Sequence, residues 1–264
     1  MFTAACESLA GGQGKSTVAL LTARLLAQQS YPVLLVDADP QSSLTTFVGH
    51  KVKKNQPTLL EVLKGVVNVT DGIYATEFSN LFLIPSDGGL DSVQDFLSGS
   101  GCGAYMLQQQ LEPIAKTFKF CIIDSPPQRS QLCLTTIGAS NALILPMEAT
   151  TKGYSSLLRT MELLEILKKT KVFRGEILGV IPFRDKWVGQ YRTKQSQRTI
   201  NAMAELVGAE IMLPTIRESE QFKEAINQKL TLNELGYKDL EYPFDILINK
   251  IKGLAKVDQT KLVG

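Results

Sequence analysis

The chain has 264 residues, a hydrophobic fraction of 44% and a formal net charge of +2. That apolar content builds a sizeable core and excludes disorder, and the length suits one α/β domain over residues 1–264. No apolar run approaches the roughly 18 residues of a membrane-spanning helix. The small net charge conceals an asymmetry: residues 1–150 carry 9 Lys+Arg against 12 Asp+Glu, and residues 151–264 carry 19 against 14. Cys6, Cys102, Cys121 and Cys133 show no C-x-x-C spacing and no partner histidines, Cys121 sits in an apolar strand-like run as a buried free thiol would, and a reducing cytoplasm is expected.

In chain order, "MFTAAC" is a weak apolar lead-in to "SLAGGQGKST" (8–17). This departs from the phosphate-loop pattern G-x-x-x-x-G-K-[ST], because Leu9 stands where glycine is required. It fits the variant K-G-G-x-G-K-[ST], except that Ala10 replaces the first lysine. Gly11, Gly12 and Gly14, with Gln13 between, permit a tight loop whose N–H groups form an anion nest. Lys15 then reaches the β/γ-phosphates and Ser16 ligates Mg²⁺, at the start of a helix expected over about 15–29. That helix ("VALLTARLLA") is interrupted by Arg24 and follows no basic leader, so a signal peptide is not expected.

The strand "YPVLLVDAD" carries Asp37 and Asp39 at its carboxyl end, where ligands bind in open α/β sheets. After the strand "LFLIPS" and a helix expected over about 104–117, "FKFCIIDS" ends on Asp124, whose carboxylate suits a metal or metal-bound water. The strand "NALILPM" leads through "EATTKGYSS", with Lys152, into a helix over 153–170 with Leu157, Met161, Leu164 and Leu167 on one face. The strand "GEILGVIPF" precedes "PFRDKWVGQYRTKQSQR", where Arg184, Lys186, Arg192, Lys194 and Arg198 face Asp185 alone, and a helix is expected over about 190–207. This alternation predicts a mostly parallel twisted sheet flanked by helices on both faces, the P-loop NTPase architecture. His50 lies outside every motif and receives no catalytic role, and no N-K-x-D guanine motif appears.

"AGGQGKST", "VDADPQSS" and "CIIDSPP" resemble the deviant Walker A, switch I and Walker B segments of the ParA/MinD ATPases, with "LFLIPSDGGL" and "IMLPTIRESEQFKEA" similar to later ParA blocks. The resemblance implies an ATP-dependent, cytoplasmic homodimer with ATP and Mg²⁺ between two subunits, which positions DNA or large cargo. Carried over, Lys15 holds the β/γ-phosphates, Ser16 binds Mg²⁺, Thr17 contacts the α-phosphate, Asp39 orients the attacking water, and Asp124 is the Walker B acid. Asp39 and Asp124 would lie beside the metal, and the base would rest near Pro214 and Arg217.

The departure is Ala10, since the family's lysine there crosses the dimer interface to the partner's phosphates. Three outcomes stay open: ATP binding without dimerisation, a slow or dead ATPase, or another cation in the role. For the last, Lys152 is the first candidate and Arg129 the second. An otherwise intact ParA frame without that lysine resembles the McdA-like carboxysome-distribution branch, which implies a ParB-like or McdB-like adaptor that stimulates hydrolysis. Family and charge together point to nonspecific, nucleoid DNA contact through Arg184, Lys186, Arg192, Lys194 and Arg198. The alternatives are a MinD-like membrane-associated regulator and a P-loop kinase or ligase for a small molecule. In the tail, Phe244, Leu247, Ile248, Ile251 and Leu254 line one helical face. Gly253, Asp245 and Asp258 interrupt the membrane pattern, so a helix packed on the core is expected and membrane binding is not.

Overall fold

The structure, a computed structural model, describes residues 1–261, with side chains described through residue 256; Asp258 of the tail lies outside the latter. Strand β1 (Phe2–Cys6) runs into the glycine loop, and α1 (Lys15–Gln28) returns the chain to β2 (Val33–Asp37). Then come α2 (Ser43–Val48), α3 (Leu59–Lys64), β3 (Tyr74–Ala75), β4 (Leu81–Ile84), α4 (Val93–Gly99) and α5 (Met106–Leu111). The second half holds β5 (Phe120–Asp124), α6 (Gln131–Gly138), β6 (Ala142–Glu148), α7 (Thr151–Lys169) and β7 (Glu176–Phe183). It closes with the hairpin β8 (Trp187–Val188) and β9 (Tyr191–Arg192), then α8 (Lys194–Val207), α9 (Gln221–Gln228) and α10 (Lys238–Lys261).

The main sheet has the order β3-β4-β2-β5-β1-β6-β7 and is parallel except for β3, an antiparallel edge on β4. Side chains alternate between its faces, so each strand feeds two cores. Cys6, Leu35, Ile122 and Ile144 pack against α1, α2, α9 and α10, while Val36, Ile123, Leu145 and Val180 pack against α3 through α8. Register aligns Asp37 with Asp124 and Asp124 with Cys6, which brings the ends of β2, β5 and β1 together at the loop. The chain crosses from β1 to β2 on one side and later from β5 past β1 to β6 on the other, so the glycine loop emerges at the topological switch point.

The five strands expected from apolar runs are β2, β4, β5, β6 and β7. The lead-in is more than that: β1 is a central strand whose small Thr3, Ala4 and Ala5 are nonetheless fully packed. The helix expected over about 104–117 is cut to α5, because the turn Glu112–Ile114 contains Pro113. The helix expected from about 190 begins at Lys194, where the Thr193 hydroxyl caps it by accepting from Ser196 N, and residues before it form the hairpin. In α10, Phe244, Leu247, Ile248 and Ile251 are buried in the α1-side core, as the packed-helix expectation requires. Among the described residues no helix is long and apolar enough to cross a membrane.

Candidate functional site

The loop from β1 to α1 requires glycine at two of its positions. Gly12 and Gly14 have φ of 82° and 94°, in the left-handed region that penalises side chains. A Cβ on Gly14 would also come within 2.7 Å of the Phe183 ring, at the end of β7. No side chain caps the start of α1, so its free N–H groups and positive dipole end remain for an anion. Gln13 is wholly buried, and its Oε1 accepts from Glu148 N at 2.8 Å, which ties the loop to β6. The Gln13 Oε1 is thereby committed to structure, whereas its buried Nε2 has no hydrogen-bond partner.

Lys15 is 6% exposed, and its Nζ donates to Ala10 O at 3.3 Å and to Ser8 O and Oγ at 3.4 Å. These are long contacts, and the ammonium folds back on its own loop. Ser16 and Thr17 follow, half-buried, on the first turn of α1.

Three acids surround this loop and differ in their bonding. Asp37 is spent on structure: Oδ2 accepts from Thr45 N and Oγ1, each at 2.7 Å, and Oδ1 accepts from Asp39 N. Burial pushes its carboxyl up to about 6 against those bonds. Asp39, nearly buried, accepts from Gln41 N at 2.9 Å, and burial raises its pKa. Asp124 is 1% exposed, and neither carboxylate oxygen has a hydrogen-bond partner. Burial, then Asp37, raises it well above the carboxylate range, with Ser16 and Lys15 opposing. Two orphaned, buried oxygens beside the Ser16 hydroxyl fit a hard cation such as Mg²⁺. Among the described residues no three of His, Cys, Asp or Glu form a metal cage, and Mg²⁺ characteristically takes few protein ligands, completing its shell with phosphate and water.

Lys152, the second residue of α7, reaches over the loop and donates from Nζ to Gly11 O at 2.9 Å. The Thr150 hydroxyl caps this helix, and Gly153 lets it start so close to β6 that a Cβ there would lie 1.9 Å from Glu148 O. Arg129 stands exposed in the turn before α6.

The five cations of the basic stretch differ in their partners. Asp185, fully buried, accepts from Arg192 Nε at 2.8 Å, Trp187 Nε1 at 2.9 Å and Thr215 Oγ1 at 2.8 Å. Arg192 is thereby neutralised, because a buried carboxylate binds it more strongly than solvent does. Arg184 pairs with Glu148 at 3.6 Å and Lys186 with Glu218 at 3.7 Å. Lys194 and Arg198 stand exposed one turn apart on α8. Pro214 and Arg217 lie in a segment hydrogen-bonded along β7, where the Arg217 guanidinium stacks on Trp187 at 4.1 Å.

Glu7, Phe183 and Asp185 were not among the expected site residues. Glu7 and Asp185 each follow an apolar strand, a position too common to mark them, and nothing marked Phe183 apart from other core aromatics. Together the nest, Lys15, Ser16, Asp39 and Asp124 can bind a phosphate chain with its divalent cation and direct a water at it.

Comparison with known proteins agrees. A family model described as "AAA domain" matches residues 3–173. Maintenance of carboxysome distribution protein A of Synechococcus elongatus is 50% identical over 251 residues, covering 95% of this chain and 99% of that protein. The ATP complex of McdA from Cyanothece superposes with a TM-score of 0.92 at 49% identity, covering 96% of each chain. A putative plasmid partition protein of Borrelia burgdorferi bound to AMPPNP gives a TM-score of 0.76 at 25% identity, covering 94% of this chain and 99% of that one.

Proposed function

The chain belongs to the ParA-type P-loop ATPases, in the branch of the carboxysome-distribution A proteins, and from that premise we propose that it is a cytoplasmic, one-domain ATPase that dimerises around ATP, binds nucleoid DNA nonspecifically and positions carboxysomes. An adaptor of the McdB or ParB kind would release it by stimulating hydrolysis. The observation that carries this reading is Lys152 Nζ over the glycines, 2.9 Å from Gly11 O, in a loop where Ala10 replaces the bridging lysine.

In the bound state, Lys15 leaves its own carbonyls for the β/γ-phosphates, and Thr17 meets the α-phosphate. Ser16 and Asp124 would hold Mg²⁺, which would supply charge neutralisation for the phosphates. Asp39 orients the attacking water, and Lys152, held here by one exposed hydrogen bond, swings to the partner's phosphates. The base would rest near Pro214 and Arg217, in the segment hydrogen-bonded along β7. The buried Phe244–Ile251 face of α10 speaks against a MinD-like membrane role.

DNA contact is assigned chiefly to Lys194 and Arg198, with Arg184 and Lys186 at the rim. Binding of random-sequence duplex, followed by fluorescence anisotropy, is expected with ATP and not ADP. It should fall at least tenfold between about 50 and 200 mM salt, and Lys194→Ala with Arg198→Ala should weaken it. Binding indifferent to nucleotide and salt would overturn the DNA assignment.

A further inference from the structure

Glu7 sits between β1 and the glycine loop, wholly buried, with neither carboxylate oxygen in a hydrogen bond. The polar groups that face it are Lys15 from α1, Ser125 from the turn after β5, Cys133 from α6 and the Ser8 amide. Ser125 does not satisfy it, because that hydroxyl donates to Thr136 Oγ1 at 3.0 Å. The other charged groups close to this cluster are Asp124, at the end of the neighbouring strand, and Asp39, both of which also feel Lys15. An unpaired carboxylate in so dry a place is costly unless a cation answers it. Lys15 is the cation whose charge opposes the burial of Glu7, and its ammonium otherwise makes only long hydrogen bonds, at 3.3 Å to Ala10 O and 3.4 Å to Ser8 O and Oγ.

We propose that Glu7 is a positioning residue that serves as the counter-charge of Lys15, holding the ammonium against the loop in the nucleotide-free site and opposing its transfer to phosphate. This rests on the nucleotide site proposed above. When phosphate takes Lys15, Glu7 is left facing added negative charge with its cation committed elsewhere. A proton on Glu7 then relieves the repulsion. Burial already holds this carboxyl up at about 7 with Lys15 beside it, so little further change is needed. Nucleotide affinity therefore carries a term set by the charge on Glu7, weaker where Glu7 is ionised.

The test is AMPPNP–Mg²⁺ binding by calorimetry from about pH 6 to 8.5, in pairs of buffers of different ionisation enthalpy, for wild type and Glu7→Gln. Wild type should lose affinity above about pH 7, by up to tenfold per pH unit, and take up as much as one proton on binding. Glu7→Gln should bind several-fold more tightly than wild type at about pH 8 and lose that part of the proton uptake. Superimposable pH profiles and equal proton counts in the two proteins, or weaker binding by Glu7→Gln at high pH, would overturn the role of Glu7. Should Glu7→Gln not fold, the wild-type proton count decides alone, and no uptake near pH 7.5 overturns the proposal (about one proton is expected). Absence of AMPPNP binding at every pH would instead overturn the nucleotide reading and this role with it.

Discussion

At the scale of single residues, the site concentrates acids around one lysine. Glu7, Asp37, Asp39 and Asp124 are all raised by burial, with Lys15 the cation opposing the shift at Glu7, Asp39 and Asp124. A carboxyl whose folded pKa exceeds its unfolded value binds its proton more tightly in the native state. Its stabilising contribution is complete below the unfolded pKa and is lost as pH rises through the folded one. For Asp37 and Glu7 the folded values are about 6 and about 7, against ordinary values of 3.8 and 4.5. The loss therefore accumulates from about pH 4 to about pH 7. The nucleotide-free protein should melt at progressively lower temperature across that window in a fluorescence scan, and Glu7→Gln should flatten the slope. A melting temperature that rises from about pH 5 to 7.5 would show that other groups dominate. The approach of Lys152 to the glycine loop was legible at this scale because the residue follows a strand whose carboxyl end faces the ligand edge. Glu7 was not, since one acid at a strand end looks like any polar exit from the sheet.

At the scale of elements, the hairpin of β8 and β9 owes its form to Asp185. Strands of two residues have almost no ladder to hold them, and here a buried carboxylate gathers Trp187, Arg192 and Thr215 instead. Arg192 and Arg217 then lie over Trp187, at 5.2 and 4.1 Å from its ring centre. Asp185→Ala would leave Arg192 half-buried without its partner and cost about 3 kcal/mol in denaturant unfolding. It should also weaken ATP-dependent DNA binding by loosening the entry to α8, although Asp185 carries the wrong charge to touch phosphate. DNA binding undiminished in a destabilised Asp185→Ala protein would separate the hairpin from that surface. None of this was visible as pattern: Asp185 entered the sequence only as an offset to five basic residues. The helical periodicity beyond it was real, but its start depended on the Thr193 cap and on the hairpin's tertiary hub.

At the scale of the molecule, the strands that bear motifs were readable because both faces of the sheet are covered, so their sequences are near-continuous apolar runs. Strand β1 escaped that reading because Thr3, Ala4 and Ala5 have small side chains, chosen by close packing at the centre of the sheet rather than by hydrophobicity. The two halves of the proposed dimer site are unequally legible. The glycines, Lys15, Ser16 and Asp124 form a local signature of a grip on phosphate, whereas Lys152, the group proposed to reach the other subunit, is separated from the loop by the whole of the first half of the chain. Its approach to Gly11 depends on α7 starting at the same sheet edge. The account stands on that arm. Sedimentation velocity of wild type and Lys152→Ala with ATP and Mg²⁺ tests it most directly, with nucleotide binding measured on the same samples. The account predicts an ATP-dependent dimer for wild type and a monomer that still binds ATP for Lys152→Ala. A Lys152→Ala protein that dimerises at the same ATP concentration as wild type would contradict it.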